Sequence, residues 1–250
     1  MFSYEAERVL LEISHEENAL EDIKRSLSHL MKESPVEVYA IVLDLLRAPQ
    51  KSLPSVIIEG VKELARSAAR NSLRDPPLDT WSTEMNVGEE DYSRFTAYRT
   101  RCRDRLLEFL ATGEFIRTTG TAWIWYDTRC GVCSLASERV IVPDAALETE
   151  KYQVKWWVTC LERIMASVRE FPCEKPFKRK RIWNSTLQEL KVECPTCHMA
   201  AVEEFPLFKE ELLSAVTKVI DGVRIQFVGY VCLEANSASN RSSWRLNIEL

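Results

Sequence analysis

Apolar residues recur at helical spacing through the first 110 positions. In "ENALEDIKRSLSHLMKE" Leu20, Ile23, Leu27, Leu30 and Met31 share one face with charges opposite, which predicts an amphipathic helix. "SPVEVYAIVLDLLRAP" predicts a second helix, with Ser34 as N-cap, Pro35 at the first helical position and a stop before Pro49. "LPSVIIEGVKELARSAARNSL" repeats the pattern on Ile57, Val61, Leu64 and Ala68. After the breaker "RDPPLD", the stripe Tyr92, Phe95, Cys102, Leu106, Phe109 and Leu110 predicts a fourth helix, whose acidic start at Glu89 and Glu90 suits the dipole.

The pattern changes near residue 113. "TTGTAWIWYDTRC" is β-branched and aromatic and predicts a strand, with "RVIVP" as its partner. "YQVKWWVTCLERIMASVREFP" returns to helix, with Val154, Trp157, Val158, Leu161 and Met165 inward. Asn184 or Ser185 would cap a short helix, "NSTLQELKVE". A "CPTC" turn, the helix "AAVEEF" and the helix "FKEELLSAVTKVID" follow, the last ended by Gly222, and "VRIQFVGYV" reads as a closing strand. The expected fold class is therefore mainly α. A helical domain over 1–112 precedes a smaller α+β subdomain over 113–232, and residues 233–250 form a polar tail.

Composition narrows the function classes. The 250 residues are 46% hydrophobic and 28% charged, the profile of a globular chain, and the formal charge of −5 disfavours coating a polyanion through overall charge. No run reaches the roughly 18 apolar residues of a membrane helix, and the acidic N-terminus does not resemble a signal peptide. Cytoplasm or nucleus, with no membrane partner, is the expectation. The eight cysteines should then be mostly reduced.

Four of those cysteines form two C-x-x-C pairs, Cys130/Cys133 and Cys194/Cys197. Gly131 permits a tight turn after the first strand, and a helix start carries the second pair, so a tetrahedral four-sulfur site is the expected arrangement, with zinc as a structural cofactor. Three other readings compete with it. A C-x-x-C at a helix start is also a redox arrangement, although a helix and not a strand precedes this one. A zinc deaminase needs H-x-E ahead of P-C-x-x-C, and no histidine lies between His29 and His198. The third is four ordinary buried thiols.

Acyl-transfer and nucleotide-binding motifs are not found, so the expectation is no enzyme. The basic run Lys175, Lys178, Arg179, Lys180 and Arg181 is either an exposed loop, an import signal or a phosphate-contacting patch with Phe177 and Trp183 for stacking.

The order of elements resembles the post-BTB (BACK-like) portion of the BTB/POZ-domain proteins expanded in basidiomycete fungi. The likeness rests on "VEVYAIVLDLL", "ELARSAARNSLRDPPLD", "EEDYSRFTAYRTRCRDRLLEFL", the two C-x-x-C pairs, "KWWVTCLERIMASV" and "FKEELLSAVTKVIDGVRIQF", over roughly residues 17–230. It implies that Tyr98, Arg99 and Cys102 match a recurrent helix motif and that the four paired cysteines match those of the family. It further implies a non-enzymatic scaffold or partner-binding region. The BTB core itself, which in the family supplies the dimer surface and the cullin-adaptor interface, is not matched, so neither property is carried over. A nucleic-acid-binding zinc module using residues 175–181 is the alternative. The protein partner and the oligomeric state are left open.

Overall fold

The computed structural model describes residues 19–47, 55–75, 89–113, 139–144 and 149–225. These residues fall into two compact units, the first holding those up to Tyr98 together with Arg224 and Ile225, the second those from Arg99 to Val223.

In the first unit, the expected opening helix is two pieces, α1 (Ala19–Leu27) and α2 (Leu30–Glu33), separated by a turn at Ser28 and His29. The Ser28 hydroxyl donates to the Arg25 carbonyl at 2.7 Å, competing with the backbone ladder at that point. Helix α3 (Pro35–Arg47) is the centre of the unit, with Val36, Val38, Tyr39, Ile41, Val42, Leu43, Leu45 and Leu46 all buried. A helix apolar on most of its circumference must be enclosed, and α4 (Ser55–Ser72) packs along it. The buried face of α4 is Val61, Ala65, Ala68 and Ala69, small residues that let the two backbones approach. Ile57 and Leu64, expected inward, are only half-buried.

Helix α5 (Glu89–Ala111) buries Phe95, Tyr98, Cys102, Leu106, Phe109 and Leu110. This is the predicted stripe, except that Tyr92 is only half-buried and Tyr98 takes a place in it. Within the first unit, Phe95 meets Tyr39 at 5.7 Å between ring centroids. Gly113 ends the helix at φ 64°, a left-handed conformation that glycine adopts without a Cβ penalty.

The second unit corrects the expected α+β subdomain. Its described residues are predominantly helical, and their strands are a single antiparallel hairpin, β1 (Arg139–Asp144) with β2 (Thr149–Val154), in the register Arg139↔Val154 to Asp144↔Thr149. "RVIVP" is thus a strand, but its described partner runs from Thr149 to Val154, whose last three residues the sequence pattern assigns to the start of a helix. "TEKYQV" alternates well enough to pair once a neighbouring strand is present. The expected strand at 118–130 lies outside the described residues, as does the tail. Val223 to Ile225, the first residues of the expected closing strand, are not strand, and residues 226–231 lie outside the description.

Helix α6 (Lys155–Glu170) follows β2 directly and buries Trp156, Trp157, Cys160, Leu161, Ile164 and Val168, a face slightly rotated from the expected one. The short α7 (Lys175–Lys178) leads into α8 (Lys180–Glu193) and then α9 (Pro195–Asp221). Helix α8 packs on both α6 and α9, and α7 touches both as well. The Arg99 guanidinium donates to the Glu170 carbonyl, where a cation suits the α6 C-terminus. Arg163 on α6 and Glu189 on α8 pair fork to fork at 3.0 and 2.6 Å, each a little over a third exposed. Glu189→Gln is expected to cost about 0.5–1 kcal/mol, shrinking with added salt, as read by urea unfolding.

Candidate functional site

The chemistry-bearing residues of the second unit gather around α8 and α9, held by a cluster of aromatic rings. Trp157 meets Phe208 edge-on at 5.6 Å, and Trp183 meets Phe205 at 5.5 Å and Phe208 at 6.1 Å. Trp156 lies 6.2 Å from Phe205. These rings tie α6, α8 and α9 together, so the side chains on the outer faces of α8 and α9 sit on a fixed support. Trp156, Trp157 and Trp183 are all core; Trp123 and Trp125 lie outside the described residues.

Cys194 joins α8 to α9. Its N–H donates to the Leu190 carbonyl at 2.8 Å, closing α8, while its sulfur accepts from the Cys197 N–H at 3.4 Å as the N-cap of α9. Both thiols are about 1% exposed. Cys197 heads the stripe Cys197, Ala201, Phe205, Phe208, Leu212, Val216 and Ile220 that faces the core. His198, one residue further round the helix, is half-buried.

Zinc does not fit these residues. A closed tetrahedral site needs four ligands, and among the described residues no three of His, Cys, Asp or Glu are placed to share an ion. Cys194 is occupied in capping a helix and Cys197 sits in an apolar stripe, as a small hydrophobe does. Cys130 and Cys133 lie outside the described residues. The described residues therefore hold no site for the expected structural zinc, which removes the basis of both the zinc-holding interaction module and the nucleic-acid-binding zinc module.

The basic run is folded and not a loop. Lys175 and Lys178 lie on α7, Arg179 is the extended joint, and Lys180 and Arg181 open α8, which begins four residues before the expected cap. The Trp183 indole N–H donates to the Phe177 carbonyl at 2.8 Å, clamping the run at its two ends. Phe177 and Trp183, the expected stacking residues, are buried, so neither can meet a base. Lys175 Nζ and Arg179 Cζ instead lie over the Phe171 ring at 4.2 and 4.8 Å from its centroid. Lys175, Lys178, Lys180 and Arg181 remain exposed on α7 and α8, with Arg179 alone extended between them.

Other thiols offer little chemistry. Burial pushes the Cys160 thiol up to about 11, against a hydrogen bond with Thr186 that acts the other way. A shallow recess of about 660 Å³ is lined by Arg181, Asn184, Ser185, Gln188 and Glu189, all from one helix, so no groups from different elements converge there.

Sequence reasoning missed the most distinctive surface. The large apolar side chains left exposed among the described residues are Val192, Met199, Val202 and Leu207, at 84, 69, 49 and 53%. They lie within one 16-residue stretch, and three of the four are on α9, with Met199 facing away from its buried stripe and Val202 and Leu207 on the two edges of that exposed side. Exposed Pro195 and Pro206 share that face, as do exposed Glu203 and Glu210. The signal was present in the spacing 195, 199, 202, 206, but reading residues 195–221 as a turn and two helices broke it.

No described helix is long and apolar enough to cross a membrane. No protein-family model, curated protein or solved structure matches this chain. The resemblance to the post-BTB region of fungal proteins gains no support from those comparisons.

Proposed function

We propose that the outer face of α9 docks a basic amphipathic helix of a protein partner, and that the chain acts by binding and not by catalysis. The observation that carries this reading is the concentration of exposed large apolar side chains in residues 192–207. Single exposed apolar residues are ordinary, but four large ones within 16 residues leave apolar surface that a partner can cover. A helix with apolar residues on two opposite faces has one face more than its own core uses.

Charge selects the occupant. Glu203 and Glu210 lie within the exposed face, and exposed Glu193 precedes it. A partner helix with Lys or Arg beside its apolar stripe complements them, whereas a second copy of this face would bring like charges together. The partner would lay its i, i+3, i+4 and i+7 side chains over Met199, with Val202 and Leu207 contacted at the two edges of the exposed side. The cytoplasm or nucleus is the compartment that goes with this reading.

The test uses a synthetic helix of about 18 residues with Leu on one face and Lys on the other, and a matched Leu/Glu control. Isothermal titration should give micromolar binding of the Lys peptide. Met199→Glu, a change at an exposed position, should weaken it about tenfold or more, since burial of such a side chain is worth roughly 1.5–3 kcal/mol. Glu203→Lys with Glu210→Lys should transfer preference to the Leu/Glu peptide. Equal binding of both peptides, or binding unchanged by Met199→Glu, would overturn the proposal. So would a dimer that Met199→Glu dissociates.

A further inference from the structure

We infer that Cys194 and Cys197 are a redox-modification site, a dithiol that small-molecule disulfides oxidise to an intrachain disulfide across the first turn of α9. This chemistry is separate from docking on the outer face of the helix.

The geometry comes from the cap. On a regular helix, side chains three apart have Cβ atoms roughly 5–6 Å apart, too far for a disulfide, which needs about 3.8 Å. Cys194 is not helical: its φ of −150° and ψ of 93° are those of an extended N-cap residue, which turns the side chain back over the turn that follows. The 3.4 Å contact between its sulfur and the Cys197 N–H places that sulfur at the residue bearing the second thiol. Both are thiols in this structure, and so are Cys102, Cys160 and Cys173, but those three have no cysteine nearby in sequence. Pro195 lies between the pair, at the first position of the helix, where its ring costs no hydrogen bond.

Order of attack follows from position. Cys194 lies at the joint of two helices beside exposed Pro195 and Thr196, while Cys197 lies inside the apolar stripe. Both thiols are about 1% exposed, so attack waits on local opening of the first turn of α9. That opening uncovers Cys194 at the joint before Cys197 in the stripe. Its thiolate attacks one sulfur of a disulfide R–S–S–R. The S–S bond breaks, an S–S bond to Cys194 forms, and RS⁻ leaves and takes up the proton that Cys194 gave to solvent. The Cys197 thiolate then attacks the Cys194 sulfur, expelling the second RS⁻, which is protonated in the same way. The protein loses two electrons and two protons, and one R–S–S–R becomes two R–SH.

Oxidised glutathione is the probe. The full chain is incubated with it at neutral pH, quenched with acid, alkylated in denaturant and mapped by peptide mass. In the wild-type chain, the peptide carrying residues 194 and 197 is expected to lose both alkylatable thiols and to regain them on treatment with reduced glutathione. Cys197→Ser should stop at a glutathione adduct on residue 194. Cys194→Ser should leave residue 197 alkylatable. The wild-type map alone decides the matter if either variant misfolds. Both thiols remaining alkylatable after prolonged oxidation would overturn the inference, as would a stable adduct on Cys197 or a disulfide from Cys194 to any cysteine other than Cys197.

Discussion

Trp157→Ala is expected to lower the stability of the second unit by about 3–5 kcal/mol in urea unfolding, the range for deleting a large buried ring. Trp157 is fully buried and stands edge-on to Phe208 at 5.6 Å and to Trp156 at 6.1 Å. Removing it takes away apolar area, two ring contacts and the filling of a site bounded by helices that cannot easily collapse inward. Trp157→Phe keeps one ring and should recover about half the loss. Val192→Ala, on the same unit but 84% exposed, should change stability by less than about 0.5 kcal/mol. A Trp157→Ala loss no larger than that of Val192→Ala would mean the rings do not form the core described. Because α6, α8 and α9 meet on these rings, the same variant should loosen the outer face of α9 and weaken binding of the Lys peptide.

The helices were legible where periodicity alone decides. The stripe from Phe95 to Leu110 on α5 survives because no proline or glycine interrupts it, and the pairing of α3 with α4 follows from two apolar faces close in sequence. Strand pairing was not legible, because it depends on a neighbour. Tyr152 to Val154 continue smoothly into the pattern of α6, and only the partner residues Arg139 to Ile141 make them a strand. The start of α8 was missed for a related reason. Consecutive cations look solvated, but Trp183 needs its indole N–H satisfied, and the Phe177 carbonyl does this only if Lys180 and Arg181 have already turned into helix. At the cysteines, the spacing was correctly seen but its meaning depended on where side chains point. A C-x-x-C with one sulfur on a helix cap and the other in an apolar stripe leaves too few ligands in one place for a metal. The exposed stripe of α9 was hidden by its proline, which read as a break.

That proline supplies the second large effect. Pro206→Ala is expected to stabilise the second unit by about 1–3 kcal/mol, since proline within a helix is roughly 3 kcal/mol worse than alanine and part of the gain is offset by a freer unfolded chain. Pro206 lies inside the 27 residues of α9, so residue 206 has no N–H to offer the Val202 carbonyl. The helix tolerates this because Pro206 is on the exposed face, where water can reach that carbonyl, and because Phe205 and Phe208 hold the backbone on either side. The sign of the change tests the continuity of α9. In one unbroken helix, alanine restores a hydrogen bond and the melting temperature rises. If the chain were instead two helices meeting near residue 206, proline would fit the joint and alanine would leave stability unchanged or lower it. In that case the exposed side running from Pro195 through Met199 to Pro206 would no longer continue to Glu210, and the docking surface would lose its outline. A local rule broken on an exposed apolar face, with alanine available as a more stable choice, fits a residue retained for what the surface binds.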